Sequence, residues 1–125
     1  MKELFLARAK ENIEAAAELF ASEKFNASAN RAYYAAFHAA LAALLHFGHP
    51  TDIDHKPVQA SFNRFLLHER KIFPASMKTD LLALQNVRGE ADYRDGIGKK
   101  RAAAQLKQAQ QFVGAIRAVI DTDTP

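Results

Sequence analysis

The sequence predicts an all-α fold, an up-down helical bundle of four long helices plus a shorter one, and three observations carry that expectation. Apolar residues recur at three- and four-residue steps along most of the chain. Glycine and proline number only five and four in 125 residues, too few for a loop-rich or disordered protein. The stretch Asn26 to Phe47 is apolar on nearly every side, with only His38 and His46 interrupting it from Ala32 onward. A helix of that kind must be covered from more than one direction. Its alanines allow close approach while Tyr33, Tyr34, Phe37, Leu41, Leu44 and Leu45 supply bulk, so it reads as the central helix.

The first helix runs from Lys2 to about Ser22, with Leu6, Ala9, Ile13, Ala16 and Phe20 inward. A short connection, Glu23 to Asn26, makes it antiparallel to the central helix, and Asn26 or Ser28 offers a capping oxygen there. Gly48 suits a left-handed C-terminal cap and Pro50 prevents resumption. Thr51 to Asp54 supplies capping oxygens for a third helix from about His55 to Glu69, with Pro57 in its first turn and Val58, Phe62, Phe65 and Leu66 inward. Arg70 to Pro74 breaks the pattern. A fourth helix follows from about Ala75 to Tyr93, with Met77, Leu81, Leu84, Val87 and Ala91 as its stripe. After the Arg94 to Gly98 loop, Ala102, Leu106, Ala109, Val113, Ile116 and Ile120 alternate steps of four and three, the seam of a left-handed bundle. The tail from Asp121 to Pro125 has nothing to bury and is expected to fray.

No repeat or linker divides these segments, so residues 1–125 read as one domain. There is no cysteine, which removes disulfides and thiolate chemistry and fits a reducing cytoplasm. The charged first helix is no signal peptide, and the central run falls short of the ~20 apolar residues a membrane span needs. A soluble cytoplasmic protein with no membrane contact is expected. Seventeen basic against 14 acidic side chains give a formal charge of +3, which permits nucleotide or nucleic-acid binding without requiring it.

Enzyme motifs are missing from the residues themselves. A di-metal carboxylate bundle needs inward Glu-x-x-His pairs, and none occurs; His46 and His49 straddle the helix end at Gly48, so no metal is expected. Ser22, Ser28, Ser61 and Ser76 lie in no nucleophile elbow. No glycine-rich phosphate loop appears, and no motif calls for a cofactor.

Two polar constellations remain. Arg31, Tyr34 and His38 lie at i, i+3 and i+7, on one face of the central helix. In the structural reading Arg31 pairs with Asp92 or Glu90 and pins two helices, since a buried arginine left alone would cost several kcal/mol. In the functional reading the same face is a groove for a nucleotide or an RNA phosphate. The second constellation is Lys99, Lys100 and Arg101 at the start of the last helix, where cations oppose the helix dipole. A bound anion would relieve that cost, and solvated charges near Asp95 are the plainer alternative.

The wording Arg31-x-Tyr-Tyr-Ala35, with Arg88-x-x-Ala-Asp-Tyr93 near the end of the fourth helix, resembles the HEPN domain family of small prokaryotic helical proteins over most of the chain. The resemblance implies one of two roles. Many such proteins are metal-independent RNases acting as dimers through an Arg-x4-His motif near the dimer cleft. Others are accessory partners of small nucleotidyltransferases in two-component or toxin-antitoxin pairs. Arg88 takes the arginine position, Tyr93 stands where the histidine would be, and no histidine follows His68. The expected function is therefore a non-catalytic HEPN-domain protein, with Arg31, Tyr34, His38, Arg88, Asp92 and Tyr93 binding a nucleotide, RNA or partner. The RNase is the alternative. A homodimer is expected too, because Leu44, Phe47 and Phe73 look hard to cover within one small bundle.

Overall fold

The computed structural model describes residues 1–49, 55–93 and 96–123, apart from the side chains of His55, Lys56 and Tyr93. The described chain is all α: α1 (Lys2–Ala21), α2 (Phe25–His46), α3 (His55–Ser61), α4 (Asp80–Tyr93) and α5 (Lys99–Thr122). α3 continues without a break into π-helical turns over Phe62–Glu69, and a 3-10 turn, Ala75–Thr79, leads into α4.

Side-chain pairings fix the directions. Lys2 meets His46, Asn12 meets His38 and Ser28 meets Ala16, so α1 and α2 run antiparallel. Asn30 meets Asp92 across α2 and α4, while Gln108 meets Asp80 and Arg101 meets Glu90 across α4 and α5, two further antiparallel pairs. The up-down-up-down order follows, with α3 and its π-helical extension packed alongside α2.

α2 is the axle. Thirteen of its 22 residues are buried, against three of 20 in α1, and eight of those thirteen are alanines between Ala29 and Ala43, whose side chains are single methyl groups. Phe5, Phe62, Phe112, Leu84 and Ile116 reach it or its neighbours as fully buried side chains. Phe5 and Phe112 were not on the expected stripes, because each lies beside an equally apolar residue, Leu6 or Val113, and one-step ambiguity on a helix face is settled only by the neighbours. Leu44 and Phe73 are buried, and Phe47 is half-buried with its ring edge-on to Phe73 at 6.4 Å. The three residues expected to be left over for a dimer are thus covered within the chain, because the π-helical segment and the turn after it fold back onto the end of α2.

Both ends of the α1–α2 hairpin close in the same way. After α2, the Gly48 and His49 amides donate to the Leu45 and Leu44 carbonyls with Gly48 at φ 78, the paired bonds of a Schellman cap. After α1, the Glu23 and Lys24 amides donate to Phe20 and Leu19, with Glu23 at φ 61 in the glycine role. Neither Asn26 nor Ser28 caps α2. The helix begins at Phe25, one turn earlier than a Ser28 cap requires, and Ser28 Oγ donates to the Ala16 carbonyl at 2.8 Å inside the α1–α2 contact. Asn26 Oδ1 accepts from the Ile97 amide at 2.9 Å and its amide lies where a Cβ on Gly96 would sit, so this asparagine tethers the loop before α5. The expected caps from Thr51 to Asp54 lie outside the described residues. α5 persists through Thr122, and Asp123 accepts from His46 Nε2 at 2.8 Å, so the tail is held one residue beyond the helix where fraying was expected.

Gln105 is the one buried polar side chain in the core besides Ser28 among the described residues. Its Nε2 donates to the Ala29 and Leu84 carbonyls at 3.2 and 2.9 Å, joining α5 to α2 and α4 at one point.

Phe37, 3% exposed and in ring contact with Tyr33, Tyr34 and His38, sits where α2 is most enclosed. Phe37→Ala is expected to cost about 3–5 kcal/mol in urea unfolding, the range for deleting a large buried aromatic. A loss below about 1 kcal/mol would contradict the central placement of α2.

Candidate functional site

The polar face of α2 meets α1 and α4 in a continuous network. Arg88 Nε lies 3.3 Å from Asp92 Oδ2, one turn on in α4. The same carboxylate oxygen accepts from Asn30 Nδ2 at 2.9 Å, and Asn30 Oδ1 accepts from Arg31 Nε and Nη2 at 3.1 and 2.6 Å. Arg31 Nη1 then donates to Asn12 Oδ1 at 3.1 Å, and Asn12 Nδ2 donates to His38 Nδ1 at 3.3 Å. The chain of contacts thus runs Arg88, Asp92, Asn30, Arg31, Asn12, His38 through three helices.

Aromatic rings form the other wall. The guanidinium of Arg31 sits 4.9 Å from the centre of the Tyr34 ring, and that of Arg88 sits 5.3 Å from the same ring and 5.8 Å from Tyr33. Such contacts contribute roughly 0.5–2 kcal/mol each, more as water is excluded. Arg88 is held firmly, with its side chain 19% exposed. Its Nε is buried without a hydrogen bond among the described residues, so the approach of Asp92 acts through charge. His38 stacks on Phe5 with ring centres 5.9 Å apart and is half-buried.

Of the six expected ligand-binding residues, Arg31, Tyr34, Arg88 and Asp92 converge, and His38 closes the far end of the network. Tyr93 ends α4, and its side chain lies outside the described residues. The expected pairing of Arg31 with Asp92 or Glu90 is replaced by an indirect one. Asn30, adjacent in sequence, comes between Arg31 and Asp92, while Glu90 turns to Arg101. Asn12 and Asn30 were missed. Their signal was faint but present: asparagine is a poor helix former, and at mid-helix positions it implies a side-chain role.

The cation cluster at the start of α5 is split. Arg101 is paired with Glu90, which accounts for its position without an anion, while Lys99 and Lys100 are exposed. Asp95 lies outside the described residues. His46 accepts from Lys2 Nζ at 3.1 Å and donates to Asp123, and His49 stacks on Phe65 at 4.5 Å, so the two point to different partners. Among the described residues no three His, Asp or Glu side chains converge as a metal would require, and no helix is long and apolar enough to cross a membrane.

Four helices around an alanine-rich fifth, with an arginine and tyrosine cluster between the second and fourth in chain order, define a small all-α domain whose polar residues gather in one seam. The HEPN domain family model matches residues 2–121 of the 125, and the chain belongs to the HEPN domain family. No curated protein matches it.

Burial holds the Tyr33 phenol above its ordinary 10.0, and this outweighs the opposing hydrogen bond from Gln59 and the nearby Arg88 charge. A phenol raised in the folded state stays protonated there while the unfolded chain already ionises. The stability it contributes is full below pH 10 and is lost as pH rises through the folded value. Urea midpoints measured from pH 8 to pH 11 should therefore fall for the wild type and fall less steeply for Tyr33→Phe. Parallel curves would show that Tyr33 is not the titrating group.

Proposed function

We propose that this protein is a non-catalytic HEPN-domain protein that binds a nucleotide or serves as the accessory partner of a small nucleotidyltransferase in a two-component or toxin-antitoxin pair. The observation that carries the reading is the pair of guanidiniums, Arg31 and Arg88, set against one Tyr34 ring, with the Asp92 carboxylate reaching Arg88 directly and Arg31 through Asn30. Two fixed positive charges balanced by one negative leave room for an anionic group, and an arginine fork suits a phosphate or carboxylate. Loss of turnover is supported by the sequence: a tyrosine of pKa about 10 in place of the motif histidine is a poor general base near neutral pH. The RNase alternative would have to draw on another histidine, His38 or His55; the His55 side chain lies outside the described residues, and His38 has its Nδ1 occupied by Asn12 and its ring stacked on Phe5.

The test is cleavage of a labelled RNA without metal, alongside equilibrium dialysis with ATP and pull-down of a nucleotidyltransferase encoded beside the gene. Wild type should leave the RNA intact. Arg88→Ala should weaken whichever association is found by about tenfold or more, as expected for losing a charge-assisted contact. Metal-independent cleavage that vanishes in Arg88→Ala would establish the RNase instead.

The reading includes a homodimer, as HEPN domains often form. Among the described residues the exposed large apolar side chains are Met1, Leu4 and Leu82, 70%, 44% and 51% accessible, and these are available for it. Light scattering at high micromolar concentration should give twice the mass of the 13.9 kDa chain; the monomer mass would refute the dimer.

A further inference from the structure

A second concave site lies away from the arginine and tyrosine cluster. It is a groove of about 770 Å³ between the π-helical segment Phe62–Glu69 and the 3-10 turn Ala75–Thr79, and it shares no residue with the network described above. Its floor is apolar, built from Leu67 and Phe73 with Ala60, Pro74 and Ala75 as walls. Its charged lining has one sign: Arg64, Lys71 and Lys78, with His68 beside them and no carboxylate. The volume falls within the range of small-molecule sites, which are mostly apolar with a few placed polar groups.

Two features of the backbone bear on why this groove exists. The π-helical register, with bonds from i to i+5, sets residues five apart above one another, as the Arg64 to Glu69 ion pair at 3.7 Å shows. Asn63 and His68, also five apart, both line the groove. π-Helical turns are rare and are frequently found at functional sites. Lys71, just beyond, adopts φ 51, a left-handed conformation that favours glycine and that a lysine takes only under strain. A cation is thus kept at the rim where glycine would fit the backbone better. In addition, Asn63 Oδ1 is buried with no hydrogen-bond partner among the described residues. A turn of the Asn63 side chain toward the groove would bring this oxygen to the surface, where an N–H or O–H group of an occupant would satisfy it.

We propose that this groove binds a monomeric amphipathic carboxylate, an apolar chain whose acid group is held by Lys71 and Lys78. The apolar floor takes the chain and the single-signed rim selects the charge. An N-acyl amino acid matches the features most fully, since its amide N–H lies between chain and carboxylate and meets the need of Asn63.

Isothermal titration of the full chain tests this with N-dodecanoylglycine and dodecanoate, both below their micelle concentrations. Dodecyltrimethylammonium, inorganic phosphate and phosphatidylglycerol vesicles serve as controls. One molecule of N-dodecanoylglycine should bind per chain, more tightly than dodecanoate, while the cation and phosphate should not bind measurably. Lys71→Gly combined with Lys78→Ala should weaken binding at least tenfold. The glycine relieves backbone strain, so this variant should keep its unfolding midpoint, which separates lost binding from lost folding. Ala60→Trp, at an exposed wall position, should block the groove. Equal binding of the cation, unchanged binding by the lysine variant or by Ala60→Trp, or no saturable binding of either acid would overturn the proposal. Vesicle binding that the lysine variant abolishes, without binding of the monomeric acids, would assign the groove to a membrane surface and overturn it as well.

Discussion

The constraint on which the structure depends is the narrow girth of α2. From Ala29 to Ala43 its surface is mostly methyl groups, and alanine costs no side-chain entropy on burial while letting neighbouring helices approach closely. A helix so thin can be surrounded by α1, α4, α5 and the π-helical segment at once. The bulk that fills the space is contributed mainly by the neighbours, through Phe5, Phe62, Phe112 and Ile116. The same feature explains the single buried glutamine. Where α2, α4 and α5 come close enough for their backbones to be bridged, Gln105 has just the length to reach two carbonyls, and its own Oε1 is left without a partner. One unsatisfied oxygen is a cost of order 1–3 kcal/mol set against two bonds made.

Enclosure of α2 also decides where polar groups are found. The helix has one half-exposed stripe, and Asn30, Arg31, Tyr34 and His38 occupy it. Packing brings the middle of α1 and the last turns of α4 beside that stripe, which is why Asn12, Arg88 and Asp92 join it. Asparagine suits such a seam better than aspartate would. Asn12 donates to His38 while accepting from Arg31, and Asn30 donates to Asp92 while accepting from Arg31. A carboxylate at either position could accept only, and the relay would stop there.

Much of this was legible in the sequence, and the illegible part has a common cause. Periodicity gives the helices, and Gly48 and Pro57 give an end and a beginning, since these depend on one segment at a time. The face shared by Arg31, Tyr34 and His38 could be read for the same reason. Partners could not. Arg31 was expected on an acidic residue because charge complementarity is the simplest rule, whereas the structure interposes the neighbouring Asn30, and the acid meets Arg88 on its own helix. The Asn26 and Ser28 caps failed likewise: both oxygens fit the local rule, and both are claimed by distant segments, the Gly96 loop and the Ala16 carbonyl. Glu23 in a left-handed cap, Lys71 at positive φ and the π-helical turns of Phe62–Glu69 violate local preference outright. No reading of propensity would find them.

Arg88 shows why the structural and functional readings of the cluster are not rivals. A free arginine that binds an anion must first surrender its rotamer freedom, a cost of up to about 2 kcal/mol that subtracts from affinity. Here two tyrosine rings and the Asp92 charge have already fixed the guanidinium. Nε is buried and makes no hydrogen bond among the described residues, so the side chain is held by its face and its charge. Positioning of this kind is what a recognition site requires, since a group held by rings keeps its orientation when a ligand arrives and departs. The contacts that make Arg88 part of the helix seam are therefore the same contacts that would prepare it to bind.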